Sequence, residues 1–121
     1  MARHPQPRRT QTPAERHRIA GSAAALLDPA EVAGLEKIRK VVCEPTRAQI
    51  IRALGPGQLS VQDLARLLGR TQPATSQHLR VLREMGVVDV ERRGRQSYYH
   101  LTSRPLAAAA QGLLAAIATS S

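Results

Sequence analysis

Between positions 72 and 80 the chain places two amides, a hydroxyl, an imidazole and a guanidinium, in the run Gln72, Pro73, Ser76, Gln77, His78 and Arg80. At about 100° per residue on a helix, Gln72, Pro73, Ser76, Gln77, Arg80 and Glu84 fall on one side and Thr75, Leu79 and Leu82 on the other. A primary amide both donates and accepts, so Gln72 and Gln77 can pair bidentately with adenine, while Arg80 suits guanine or a phosphate. His78 lies at the flank of this face and reads equally well as a base or phosphate contact or as a partly packed imidazole. On an isolated helix such side chains are ordinary solvated surface, so their meaning depends on what stands beside them.

A second basic cluster, Arg92-Arg93-Gly94-Arg95, concentrates three guanidinium groups at a glycine turn. Guanidinium groups at a loop tip can follow a phosphate backbone or enter a minor groove. Arg66 and Arg70, ahead of the first cluster, are secondary phosphate candidates.

The elements that must hold these groups are legible from caps and periods. Ser60 with Asp63 opens a short helix, VQDLARLLG, with Leu64, Leu67 and Leu68 as its expected apolar face and Gly69 as its left-handed stop. Thr71 then caps a helix from Gln72 to Met85, with Gly86 after it. Two helices joined by a three-residue turn containing glycine form a helix-turn-helix, over about residues 60–86. Beyond Gly86 the apolar period drops to two, and VVDVERR and QSYYHL flank Gly94-Arg95 as a β-hairpin, a wing over about residues 87–102.

Upstream, a helix is expected from Pro13 to about Leu27, with Ile19, Ala23, Leu26 and Leu27 at helical spacing. A second opens at Asp28-Pro29 with Glu31 and carries Val32, Leu35, Ile38 and Val42; a third, PTRAQIIRAL, buries Ile50, Ile51 and Leu54 before Gly55-Pro56-Gly57 stops it. Downstream, Ser103 and Pro105 start a last helix with Leu106, Leu113, Leu114 and Ile117 among alanines. Such a helix, apolar nearly all round, needs more cover than a small domain offers, so it is expected to pack against a partner chain together with the first helix.

The composition agrees with a polyanionic partner. The 121 residues carry 18 Lys+Arg against 9 Asp+Glu, a net charge of +9. The longest apolar stretch free of charge, Leu106 to Ala118, falls short of the roughly 20 residues of a spanning helix, so no membrane association is expected. Residues 1–12, with Pro5, Pro7, Arg3, Arg8 and Arg9, read as a flexible basic arm, and 13–121 as one DNA-binding and dimerisation domain. The arginines before IAGSAAALL loosely imitate a secretory leader, but Gly21 and Ser22 interrupt the run and a helix start follows it, so a cytoplasmic protein is expected.

The stretch from Val42 to Leu101 resembles the ArsR/SmtB family of winged-helix repressors. The resemblance rests on EPTRAQIIRAL and on QLSVQDLARLLGRTQPATSQHLRVLREMGVVDVERRGRQSYYHL, above all SQHLRVLREMGVV followed by RRGRQSYYHL. It implies a mainly α winged helix-turn-helix of five to six helices with a two-stranded wing. It also implies a homodimer built on the N- and C-terminal helices, bound to an inverted repeat in double-stranded DNA and released by a signal, with no effector assigned. By that resemblance Ser76, Gln77 and His78 match the reading positions and Arg93, Gly94 and Arg95 the wing.

The chain departs from metal-sensing members of the family. Where many carry cysteines in the first helix of the motif, it has LSVQDLA, and from Leu101 to Ser121 there is no His, Asp, Glu or Cys. Neither a metal site nor any cofactor is therefore expected. Cys43, the lone cysteine, reads as an inert buried hydrophobe, with a redox-sensitive role as the alternative. A repressor answering metal or thiol chemistry through an atypical site, an N-terminal histidine or Cys43, thus stays open. So does an RNA-binding winged-helix module, although 2% aromatic residues leave few stacking platforms. Catalysis is not expected, since no phosphate loop, nucleophile elbow or HExxH is present.

Overall fold

The computed structural model describes residues 10–120, and the basic arm expected over 1–12 therefore lies mostly outside the described residues. Six helices and a small sheet follow in order: α1 (Pro13–Ala24), α2 (Pro29–Val42), α3 (Pro45–Leu54), β1 (Leu59–Ser60), α4 (Val61–Leu68), α5 (Gln72–Glu84), β2 (Val88–Arg93), β3 (Gln96–Leu101) and α6 (Pro105–Ser120). The chain divides into two compact units, Met1–Val32 and Ala33–Ser121.

In the first unit, α1 opens with a capping box. The Glu15 N–H donates to Thr12 Oγ1 at 3.1 Å, and the Thr12 N–H donates back to the Glu15 carboxylate at 3.3 Å. Asp28 and Glu31 repeat the exchange at the start of α2, at 2.8 and 3.1 Å. The first helix ends at Ala24, three residues before Leu27. The Ala25 and Leu26 N–H groups bond three residues back, to Ser22 and Ala23, and Pro29 holds Asp28 out of the helical region. Ile19, Leu26 and Leu27 stand exposed.

The second unit holds the core. Ile50, Ile51 and Leu54 of α3 pack with Leu64 of α4, Leu79 and Leu82 of α5, and Val87 and Val88 at the wing root. From α2 it is Val41 that is fully buried, whereas Val42 is half-buried and Leu35 exposed, so the inward stripe lies one residue from the expected one. In α4, Leu64 and Ala65 are buried and Leu67 is 65% exposed, which corrects the expected face. The centre of Leu64, Ala65 and Leu68 lies about 107° round the helix from Leu67. In α6 two alanines, Ala107 and Ala110, do the inward packing with Leu114, because small side chains let α3 approach closely; Leu113 and Ile117 are exposed. Arg52 of α3 fastens the pair, donating from Nη2 to the Leu114 carbonyl at 2.7 Å.

The sheet has three antiparallel strands in the order β1-β3-β2, one more than the two-stranded wing expected. Leu59 and Ser60 pair with Tyr99 and Tyr98. A two-residue strand is too short to display an alternation, which is why no period marks it. In the hairpin Val88 faces Leu101 and Arg93 faces Gln96, leaving Gly94-Arg95 as the two-residue turn, with Gly94 at φ +61°.

Candidate nucleic-acid interface

The placement of α5 follows from how α4 stops. Gly69 adopts φ +62°, and the Arg70 N–H reaches back to the Ala65 carbonyl at 3.0 Å, the six-residue closure of a Schellman ending. Two residues later Thr71 caps α5, its Oγ1 accepting from the Ala74 N–H at 3.2 Å. The buried Thr75 hydroxyl is satisfied by donating to the Thr71 carbonyl at 2.9 Å. At the far end Gly86, at φ +75°, lets the Val87 N–H close on the Leu82 carbonyl at 2.9 Å. Thus α5 is fixed at both ends and along its inner stripe of Thr75, Leu79 and Leu82, each fully buried.

Its outer face carries Gln72, Pro73, Ser76, Gln77 and Arg80, all exposed, and Arg70 stands exposed in the turn before them. Among the described residues no side chain pairs with the amides of Gln72 and Gln77 or the Arg80 guanidinium. These five expected residues are brought together on one helix face, with the polar side chains of Gln72, Ser76, Gln77 and Arg80 free to bond an outside partner.

His78 is elsewhere. It stands on the other flank of the buried stripe, half-buried, with Nδ1 3.3 Å from Arg47 Nη1 and 3.6 Å from Glu44 Oε2. Glu44 caps α3 by accepting the Arg47 N–H at 2.7 Å, and Arg47 forks onto the Lys40 carbonyl through Nε at 2.9 Å and Nη2 at 2.7 Å. The imidazole thereby ties α5 to the α2–α3 junction. The signal for this tie was the arginine of PTR, but pairing it with a residue 31 positions on requires the tertiary fold.

The three arginines of the wing tip are not equivalent. Arg92 bends back to the Gly94 carbonyl at 3.3 Å, and Arg93 pairs with Glu91 at 3.4 Å while its guanidinium sits 5.6 Å from the centre of the Tyr98 ring. Arg95, across the turn from them, has no partner among the described residues.

Cys43 is exposed rather than buried. Its N–H continues the ladder of α2 onto the Arg39 carbonyl, which sets it about 200° round from the buried Val41 and turns the thiol outward. Among the described residues no group of three His, Cys, Asp or Glu side chains is placed to share a metal ion, and no helix is long and apolar enough to cross a membrane.

Residues 44–90, from the cap of α3 into β2, match the profile of the bacterial regulatory protein arsR family. The biofilm growth-associated repressor of Xylella fastidiosa is 40% identical over 63 residues, 52% of this chain and 55% of that protein. The HTH-type transcriptional regulator NmtR of Mycobacterium tuberculosis is 38% identical over 78 residues, 64% of this chain and 65% of that one. The chain therefore spans just over half to about two thirds of the length of these curated relatives. Among solved structures, the transcriptional repressor BigR from Xylella fastidiosa superposes with a TM-score of 0.66 at 33% identity, covering 74% of this chain and 88% of that one. HlyU from Vibrio cholerae follows at a TM-score of 0.64 and 30% identity, over 71% and 94% of the two chains. A profile match centred on the capped helix pair and wing root, joined to a third of residues shared along most of a solved repressor, fixes the assignment: this chain is a winged helix-turn-helix protein and belongs to the ArsR family.

Proposed function

We propose that the protein is a sequence-specific, double-stranded-DNA-binding transcriptional regulator, a repressor acting in the cytoplasm as a homodimer on an inverted-repeat operator. The observation that carries this is the outer face of α5, where Gln72, Ser76, Gln77 and Arg80 stand exposed and unpaired on a helix locked at both ends. In a helix-turn-helix that face enters the major groove, where Gln77 reads adenine and Arg80 guanine or phosphate. Arg95 and Arg93 with Gly94 at the wing tip, and Arg70 in the turn, supply backbone contacts. The exposed Leu113 and Ile117 of α6, and Ile19 and Leu26 of α1, favour a self-association through the terminal helices. That the biofilm growth-associated repressor and BigR are repressors supports the sign of the regulation.

The test is selection of bound fragments from genomic DNA, followed by footprinting and a salt titration against random duplex and single-stranded RNA. The expected result is a twofold-symmetric footprint with half-sites about one helical turn apart and preference for the selected duplex at every salt concentration. An asymmetric single footprint, or tighter binding to RNA, overturns the reading.

The exposure of Cys43 favours a second reading, that operator binding answers thiol chemistry. Its neighbour Glu44 caps α3 and faces His78 of α5, so a modified thiol has a short path to the reading helix. Peroxide or persulfide treatment should then weaken operator binding in the parent chain and leave a Cys43→Ser variant unaffected; equal responses remove this reading.

A further inference from the structure

At the C-terminal end of α5, beyond its reading residues, a groove of about 630 Å³ opens where that end, the root of the wing and the lead into α6 come together. Arg83, Arg104, His100 and Ser103 line it, with the half-buried Leu101 as its apolar part. Its volume falls within the range of pockets that take metabolite-sized ligands.

Two features of its basic groups point outward to a ligand. The Arg104 side chain lies over Gly86, with Nη1 2.6 Å from where a Cβ at that position would stand, and its guanidinium meets no acceptor among the described residues. Arg83 is held loosely, its Nε 3.9 Å from Asp89 Oδ1. Asp89, the acidic residue of the lining, is already engaged, since the same oxygen accepts the Val90 N–H at 2.8 Å. The balance of the groove is therefore cationic, over an apolar patch.

We infer that this groove binds a small organic carboxylate with an apolar or extended body. Its carboxylate is received by the guanidinium groups of Arg83 and Arg104, with the Ser103 hydroxyl as a further donor. A nucleic-acid backbone is a poorer occupant, because Leu101 offers it nothing and Arg95 and Arg80 stand more accessible. The position matters for control. The Thr102 hydroxyl donates to the Gly86 carbonyl at 2.6 Å and its N–H to the Val87 carbonyl at 3.0 Å, so the groove sits on the clamp between the end of α5 and the end of the wing.

The test is a nitrogen-15-resolved NMR titration of the full chain at fixed chloride, with acetate, benzoate, citrate and inorganic phosphate as separate probes and no DNA present. Its outcome is therefore independent of the DNA-binding reading. The expected result is a saturable shift of the Gly86, Asp89, Thr102 and Ser103 amides with benzoate or citrate, about tenfold weaker in Arg83→Gln and Arg104→Gln. Ser103→Ala, which leaves both arginines in place, should weaken binding about twofold to threefold and serves if either arginine variant fails to fold. Inorganic phosphate acting as strongly as every carboxylate overturns the ligand class. Shifts confined to Gln77, Arg93 and Arg95, or no saturation at the groove with any probe, overturn the site.

Discussion

Helices α5 and α6 each bury a stripe of three residues into one core and turn opposite chemistry outward. Each is anchored by three fully or nearly fully buried side chains, Thr75, Leu79 and Leu82 in the first and Ala107, Ala110 and Leu114 in the second. Beyond the stripe, α5 shows amides, a hydroxyl and a guanidinium, whereas α6 shows Leu113 and Ile117 with no charged residue from Pro105 to Ser120. Packing alone demands neither face. The difference accords with the roles proposed for the two helices: a polar, rigidly capped face suits a hydrated polyanion, and an uncharged one with exposed leucine and isoleucine suits a second copy of itself.

The largest effect tests what the two helices share. Leu79→Ala removes a fully buried side chain from the contact of α5 with the core, and should cost about 2–5 kcal/mol of unfolding free energy by denaturant titration. Leu113→Ala removes a 43% exposed one and should cost well under half as much in a chain kept dilute enough to be monomeric. Comparable losses would mean that α6 is covered within its own protomer, and the contrast would collapse.

The next effect separates the outer faces. Ile117→Glu places a charge on the exposed side of α6, and sedimentation equilibrium should show dimer dissociation rising about tenfold or more while the far-ultraviolet dichroism stays unchanged. Gln77→Ala should leave self-association alone and lose about 1–3 kcal/mol on the selected operator, with little loss on random duplex. If Gln77→Ala disturbed the dimer, or Ile117→Glu weakened operator binding at concentrations that restore the dimer, the two faces would not have separate tasks.

The sequence exposed these faces unequally. The ends of α4 and α5 were legible because Ser60, Gly69, Thr71 and Gly86 signal caps locally, and the structure uses each of them as read. The three-residue turn and the inner stripe of α5 followed from spacing alone. What was not legible depends on partners distant in the chain. His78 was placed at a flank by spacing, but its part in the fold could not be read until Arg47 and Glu44 stood beside it, and Leu59–Ser60 becomes a strand through Tyr98 and Tyr99 alone. Leu67 misled because a leucine at helical spacing reads as core, while Ala65, small enough for close approach, is the residue that turns inward. Cys43 misled likewise: burial statistics for cysteine know nothing of a helix phase set by Val41.

The smallest effect lies within the wing, and it depends on a difference between neighbours of the same type. Arg93 has its charge partly met by Glu91 at 3.4 Å and its plane by Tyr98, whereas Arg95 meets no partner among the described residues. A guanidinium that must leave a carboxylate to reach a phosphate gives up one contact for the other, while an uncommitted one gains the contact outright. Arg95→Ala should therefore lower the slope of log binding constant against log salt by about 0.9 per subunit, on operator and random duplex alike. Arg93→Ala should lower it by less, and Glu91→Gln, which frees Arg93, should raise it above the parent value. Were Arg93→Ala and Arg95→Ala to shift the slope equally, the pairing with Glu91 would carry no weight in solution, and the wing would act as an undifferentiated cluster of charge.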